Sequence, residues 1–407
     1  MGGSAAHSTF KIPSKLNDTS TSSIYNQSHL KGFIQKASLV IWDEAPMTRR
    51  HDFEAVDRSL RDLMDNDEEP FGENVFVLTG DFHQILPVVV RGTPAQTIDA
   101  CLKSSTLGPT FQQLHLRENM RVMSAQNKST ATELAEFSEF FLQVGKGRHE
   151  INPTLGPDDI KIPKNMLIEN PVEELSNDDE DEELRPGVIP RGLARMVDEM
   201  YADINNPEIA NDEYFANRTI LTTTNAVVQR ITEAVAQRLE GEVLHTVNIN
   251  GIPPHKLTFK KGAPIMMMRN LNPDLGLCNR THLPIVELKP HVIHATIMTG
   301  ERQGQHVLIP RIAFISDGEA REFPFRLRRK QFPVQPDFAM TINKAQGQTV
   351  QNLGLYLSTP CFSHGQLNVT LSRVTSRSKF KALIEYPQLE KEDGVYTDKI
   401  VYRQIFE

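Results

Sequence analysis

Leu39-Val-Ile-Trp-Asp43-Glu44-Ala-Pro-Met47 is a short apolar run that stops abruptly at two carboxylates. Buried parallel strands of α/β folds read this way, with functional groups at their carboxyl ends. In that position an Asp-Glu pair is the form in which a nucleotide hydrolase presents its magnesium-holding and water-activating carboxylates. The complement of such a pair is a G-x-x-x-x-G-K-[ST] loop, whose amides cradle phosphates and whose lysine neutralises the β and γ charges. No such loop occurs in the 407 residues.

Working outward, Val75-Phe-Val-Leu-Thr-Gly80 is a second strand of the same kind, and between the two Phe53, Val56, Leu60, Leu63 and Met64 fall at helical spacing. That is a strand, helix, strand unit. Arg218 to Thr224, followed by Ala226, Val227, Ile231, Val235 and Leu239, reads as another. The expected organisation is an incomplete first motor-type domain over 1–145, an acidic linker over 146–190 and a second domain over 191–407. Short apolar runs at Pro264–Met268, Leu283–Leu288 and His306–Ile312 predict a small β-barrel-like insertion at about 255–335.

Charge is segregated along the chain. The net value is -8, but 150–213 holds 18 acidic and 5 basic residues, whereas 255–345 holds 14 basic and 7 acidic. The block Glu173 to Glu183 repels itself and predicts solvated chain. The basic run Arg326 to Lys330 offers a contact for a polyanion. Cys101, Cys278 and Cys361 are too few and too far apart for a disulfide framework or a cysteine zinc site. No apolar window reaches membrane-span length and the start lacks the pattern of a secretory signal, so no membrane partner and an intracellular address are expected.

Further strings appear in order: Gly80-Asp81-Phe82-His83-Gln84-Ile-Leu-Pro-Val88, Leu116-Arg-Glu-Asn-Met-Arg121, Phe338-Ala-Met-Thr341-Ile-Asn343-Lys344-Ala-Gln-Gly347-Gln348-Thr349 and Ser363-His364-Gly-Gln366-Leu-Asn-Val-Thr-Leu-Ser-Arg373. Together with Asp43-Glu44 they resemble the petite-integration-frequency (PIF) DNA helicases of helicase superfamily one, in particular the branch associated with Helitron transposons. Gly2 to Pro13 resembles the family segment just downstream of the phosphate-binding loop, so the chain reads as N-terminally truncated. Asp57, Arg58, Leu60, Arg61 and Pro70-Phe71-Gly72 match a region peculiar to the family. The resemblance spans nearly the whole chain apart from the acidic block and the extreme C-terminus.

It implies an α/β fold of two RecA-like P-loop NTPase motor domains, the first incomplete, with the barrel inserted in the second. It also implies ATP as substrate, Mg²⁺ as cofactor, and single-stranded and forked DNA as partners. By this resemblance Asp43 holds magnesium, Glu44 activates water and Gln84 senses the γ-phosphate. Arg121 and Arg373, one from each motor domain, stabilise the transferring phosphoryl group, and Gly347 and Gln348 lie near the nucleotide. His7, Ser8, Phe10, Thr341, Asn343 and Lys344 contact DNA, with ordinary core packing the alternative for Phe10. Asn343 and Asn368 depart from the histidine and aromatic common in relatives, which removes stacking surface. The implied activity is five-prime to three-prime unwinding coupled to ATP hydrolysis, with no appreciable turnover by this chain alone because the phosphate cradle is absent. A piece of a longer product and a decayed transposon-derived copy both fit. The alternative is a nonhydrolytic single-stranded DNA-binding remnant or scaffold. A nuclear address comes first, a mitochondrial one second, and the sequence carries no signal for an oligomeric state.

Overall fold

The structure, a computed structural model, describes residues 6–24, 28–125, 127–149, 155–156, 158–168, 189–206, 208–238, 257, 259, 261–298, 302–315, 328–385, 390–391 and 394–406. The acidic block, Gly2 to Ala5, Leu239 and Arg326 lie outside the described residues. Two compact units result. The first is drawn from 1–160 with the later stretches 361–369 and 398–407, the second from 161–360 and 370–397.

In the first unit α1 (Ala6–Thr9) and α2 (His29–Gln35) precede β1 (Leu39–Trp42), α3 (Arg50–Met64) and β2 (Val75–Leu78); α4 (Pro94–Asp99), α5 (Met120–Met123) and α6 (Lys128–Lys146) follow. β1 and β2 pair in parallel, Leu39 opposite Val75 and Trp42 opposite Leu78. The helical spacing of α3 delivers Phe53, Val56, Leu60 and Leu63 to the core, where they meet Phe10, Trp42 and Phe71. Each such side chain contributes about 1.5–3 kcal/mol on burial. The opposite face of the sheet stays open: Leu39, Ile41, Val75 and Val77 are 51, 65, 57 and 42% exposed.

The family-specific region has a structural explanation. Asp57 on α3 accepts the Phe71 amide at 2.6 Å and the Arg61 Nε at 2.9 Å, which pins the Pro70–Gly72 turn to the helix. At Gly72, φ is +62°, and a Cβ there would lie 2.7 Å from the Leu60 carbonyl oxygen. Only glycine fits.

β3 (Asp159–Lys161) lies at the sequence boundary of the two units. In the second unit α7 (Arg191–Met200), α8 (Asp212–Ala216) and α9 (Asn225–Arg238) accompany a parallel sheet in the order β12 (Ala339–Thr341), β4 (Arg218–Thr222), β13 (Asn352–Leu357), β14 (Phe380–Ile384). Val227, Ile231 and Val235 of α9 are buried as their spacing predicts, whereas Ala226 faces solvent. Central β4 is buried along Thr219–Thr222, the expected state of a parallel strand covered on both faces.

Inserted in this unit is a five-stranded antiparallel sheet in the order β11 (Val334–Pro336), β5 (Pro264–Met267), β6 (His282–Leu288), β7 (Val292–Thr296), β8 (His306–Pro310). It has its own core of Ile265, Met267, Leu283, Ile293 and Ile309. Among the described residues no pairing joins β8 back to β11, so the insertion is described as an open sheet. β9 (Ile312–Ile315) and β10 (Arg328–Gln331) form a separate antiparallel ribbon that carries the described part of the basic run. Arg328 and Lys330 are exposed on it.

Candidate active site

The carboxyl ends of β1 and β2 bring Asp43, Glu44, Thr79, Asp81 and Gln84 into one stretch of the first unit. Asp43 is exposed, and its Oδ1 accepts the Thr79 hydroxyl at 2.6 Å and the Glu44 amide at 3.0 Å. Both bonds end on Oδ1. Thr79 was not singled out by the sequence, although its place at the end of the second strand put it within reach. A hard divalent cation prefers such an oxygen, and the pre-oriented carboxylate suits Mg²⁺.

Glu44 adopts φ +53° and ψ +38°, left-handed backbone that is unfavourable for a residue with a Cβ. Its neighbours hold it there. Ala45 N–H donates to the Thr79 carbonyl at 2.8 Å, and Pro46 begins a short 3₁₀ turn. Gly80 presses on the same turn, since a Cβ on it would lie 2.2 Å from Pro46 Cδ.

Gln84 lies three residues beyond Asp81, whose Oδ1 accepts the His83 amide at 2.9 Å and meets His83 Nδ1 at 2.5 Å. Burial opposes ionisation of Asp81, but the hydrogen bond and charge of His83 outweigh it and hold the carboxyl below its ordinary range. Gln84 Nε2 approaches Asp81 Oδ2 at 3.5 Å, while Gln84 Oε1 is buried without a hydrogen-bond partner. A buried acceptor left unmade costs about 1–3 kcal/mol. An orphan of this kind marks a place for a donor such as water.

The loop bearing Gln84 is braced by sequence-distant chain of the same unit. His364, fully buried, accepts the Tyr402 amide on Nδ1 at 2.8 Å, which leaves Nε2 to donate to the Phe82 carbonyl at 2.9 Å. Burial holds its imidazole below the ordinary value of 6.5. Asn368 donates to the His83 carbonyl at 3.2 Å, and Phe406 stacks on His83 at 4.7 Å. The extreme C-terminus, which lies outside the family resemblance, thus supports the loop. No local signal in the sequence announces this.

The remaining site residues are distributed as follows. Arg121, exposed on α5, has its amide capped by Asn119, and among the described residues no hydrogen bond or ion pair engages its guanidinium. Arg373, in the second unit, is 8% exposed and donates from Nη1 to the Gln348 carbonyl at 2.8 Å. Gln348 Nε2 also meets His282 Nε2 at 3.0 Å, and His282 Nδ1 pairs with Asp337. Burial disfavours the charged imidazole, yet the bond and charge of Asp337 outweigh it and raise His282 above its ordinary range. The inserted sheet is thereby tied to Gln348, beside Gly347, whose φ is +79°.

Thr341 is buried at the end of β12, Asn343 and Lys344 are half-buried in the turn after it, and Lys344 Nζ donates to Asn225 Oδ1 at 3.1 Å. Burial, then the charge of Arg280, lowers Lys344. In the first unit His7 and Ser8 lie exposed on α1, with His7 Nε2 at 3.5 Å from Asp52 Oδ1. Phe10 fits the core-packing alternative. It is 5% exposed and its ring stacks on Trp42 at 5.7 Å and 6°, so the face a nucleobase would need is spent in the core.

The scaffold is that of the RecA-like α/β motors. Residues 1–154 match the family described as PIF1-like helicase, and residues 242–288 match that described as DNA helicase Pif1, 2B domain. It is 24% identical to the ATP-dependent DNA helicase Pif1 of Psychrobacter, over 94% of this chain and 59% of that protein. It is 25% identical to the ATP-dependent DNA helicase PIF1 of Danio rerio, over 83% of this chain and 45% of that protein. The chain thus spans about half the length of the curated relatives it matches. The fold is similar to a crystal structure of Bacteroides Pif1 helicase in complex with ADP-AlF3 and ssDNA, with TM-score 0.61 and 19% identity over 98% of this chain and 86% of that one.

Proposed function

We propose that this chain supplies the catalytic carboxylates, phosphate sensor and DNA-tracking elements of an ATP-dependent DNA helicase of five-prime to three-prime polarity. The observation that carries this reading is that the strand ends of one α/β unit hold both Asp43, fixed through Oδ1 by Thr79, and Gln84, whose Oε1 is buried without a hydrogen-bond partner among the described residues. Asp43 would hold Mg²⁺, which would supply positive charge against the phosphates. Glu44 accepts a proton from water, and Gln84 accepts from that water through Oε1 while its amide can donate to phosphate. Arg121 and Arg373 offer guanidinium charge to the phosphoryl group, and Gly347 and Gln348 border the nucleotide.

Single-stranded and forked DNA is the proposed partner. A translocating motor holds phosphates without reading bases, which suits His7, Ser8, Thr341, Asn343 and Lys344 as contacts. Such a substrate goes with an intracellular address, nuclear or mitochondrial. Among the described residues no helix is long and apolar enough to cross a membrane.

The phosphate cradle is missing from the sequence, so these 407 residues alone are proposed not to turn over ATP appreciably. The test fuses the strand and G-x-x-x-x-G-K-[ST] loop of a relative ahead of the chain and measures ATPase with and without single-stranded DNA. DNA-stimulated hydrolysis that falls about 10²–10⁴-fold in Glu44→Gln supports the reading. Hydrolysis indifferent to Glu44 sinks it. Salt-dependent oligonucleotide binding with no hydrolysis in the fusion would instead establish the nonhydrolytic DNA-binding reading.

A further inference from the structure

Away from the strand ends, the first unit gathers three groups of metal-ligating type. Asp18, His51 and Glu54 each place one ligand atom within 4.8 Å of the other two. His51 and Glu54 sit three residues apart on α3, a spacing that puts both on one helical face. Asp18 arrives from the preceding loop, its Oδ1 3.0 Å from His51 Nε2.

The loop is fastened to the same helix by bonds independent of these groups. Arg58 Nε and Nη2 donate to the Ser20 carbonyl at 2.9 and 2.6 Å, and Ser22 N–H donates to Ser59 Oγ at 2.7 Å. Asn17 Oδ1 accepts from the Thr19 amide and the Ser20 hydroxyl, which closes the turn around Asp18. The three ligands are therefore held in place by the surrounding chain.

Exposure is graded across the group. The side chains of Asp18, His51 and Glu54 are 81, 26 and 8% exposed, so the deepest carboxylate is screened and the outermost opens to water. Glu54 has a cationic neighbour in Arg50, yet the Arg50 and Ser105 bonds both end on Oε1, at 3.3 and 2.8 Å. Two carboxylates against one guanidinium leave negative charge for a cation.

We propose that Asp18, His51 and Glu54 form a binding site for a divalent transition-metal ion of the zinc class. Imidazole nitrogen and carboxylate oxygen are both ligand types that Zn²⁺ takes, and three protein ligands leave a fourth position for water. Mg²⁺, which favours oxygen ligands and retains its waters, is poorly served by the imidazole. The site is separate from Asp43 and Glu44. Bound metal would clamp the 17–22 loop to α3, the helix whose Asp52 also meets His7.

The test is calorimetric titration of the whole chain with Zn²⁺, in a background carrying His294→Gln and His306→Gln, because those two rings lie 3.0 Å apart on β7 and β8 and could chelate separately. One equivalent of Zn²⁺ should bind, and Co²⁺ should give visible d–d absorption. His51→Gln should weaken binding at least about 10–100-fold, and so should Asp18→Asn, whose exposed position tolerates the change. Mg²⁺ in millimolar excess should not displace the zinc. No zinc binding in this background, or equal affinity in both variants, overturns the proposal.

Discussion

At the scale of single residues, His364 joins the C-terminal segment to the Gln84 loop as a neutral ring. Its folded-state value is depressed, so its contribution to stability is complete above the ordinary 6.5 and is lost as pH falls toward and through the folded value. Melting curves should therefore show a fall in Tm below about pH 6.5. His364→Gln should lower Tm at pH 7.5, costing about 1–3 kcal/mol for the bonds it breaks, and should flatten the acid-side decline. Thr79 allows a second prediction. In the loop-completed fusion, Thr79→Val should raise the Mg²⁺ requirement for hydrolysis about 10-fold, because Asp43 loses the donor that orients it. An unchanged magnesium titration would show that Asp43 needs no such support.

At the scale of elements, α1 and the residue that follows it separate two roles that the sequence runs together. Phe10→Ala should cost about 3–5 kcal/mol by opening a cavity beside Trp42 and Phe76, detectable as a lower Tm of the first unit. His7→Ala, at an exposed ring, should leave Tm nearly unchanged and weaken oligonucleotide binding in a salt-dependent way. The same contrast explains what could be read in advance. Apolar runs ending abruptly revealed β1, β2 and β4, and helical spacing revealed α3 and α9, because burial leaves a trace in the order of apolar residues. Asp43 and Gln84 were legible because strand ends are marked by an abrupt change from apolar to polar residues. Thr79, His364 and Phe406 were not, since their roles depend on chain distant in sequence, as in the Asn368 to His83 bond across 285 residues. Phe10 stayed open in the sequence because an aromatic serves equally for base stacking and for core packing until its neighbours are known.

At the scale of the whole molecule, the open face of the β1 and β2 sheet is an apolar surface on a parallel sheet of the kind usually covered on both sides. Ile41→Ser with Val77→Ser should reduce concentration-dependent light scattering without lowering Tm; unchanged scattering would place the association elsewhere. Further along the same strand, Trp42 is the chain's single tryptophan. It lies buried against Phe10 and Phe53, one residue before Asp43. Intrinsic indole emission is therefore a label already installed at one address. Its wavelength reports the packing of the first unit alone, and any intensity change on adding magnesium or nucleotide would report events one peptide bond away, with no dye attached and no signal from the second unit to subtract.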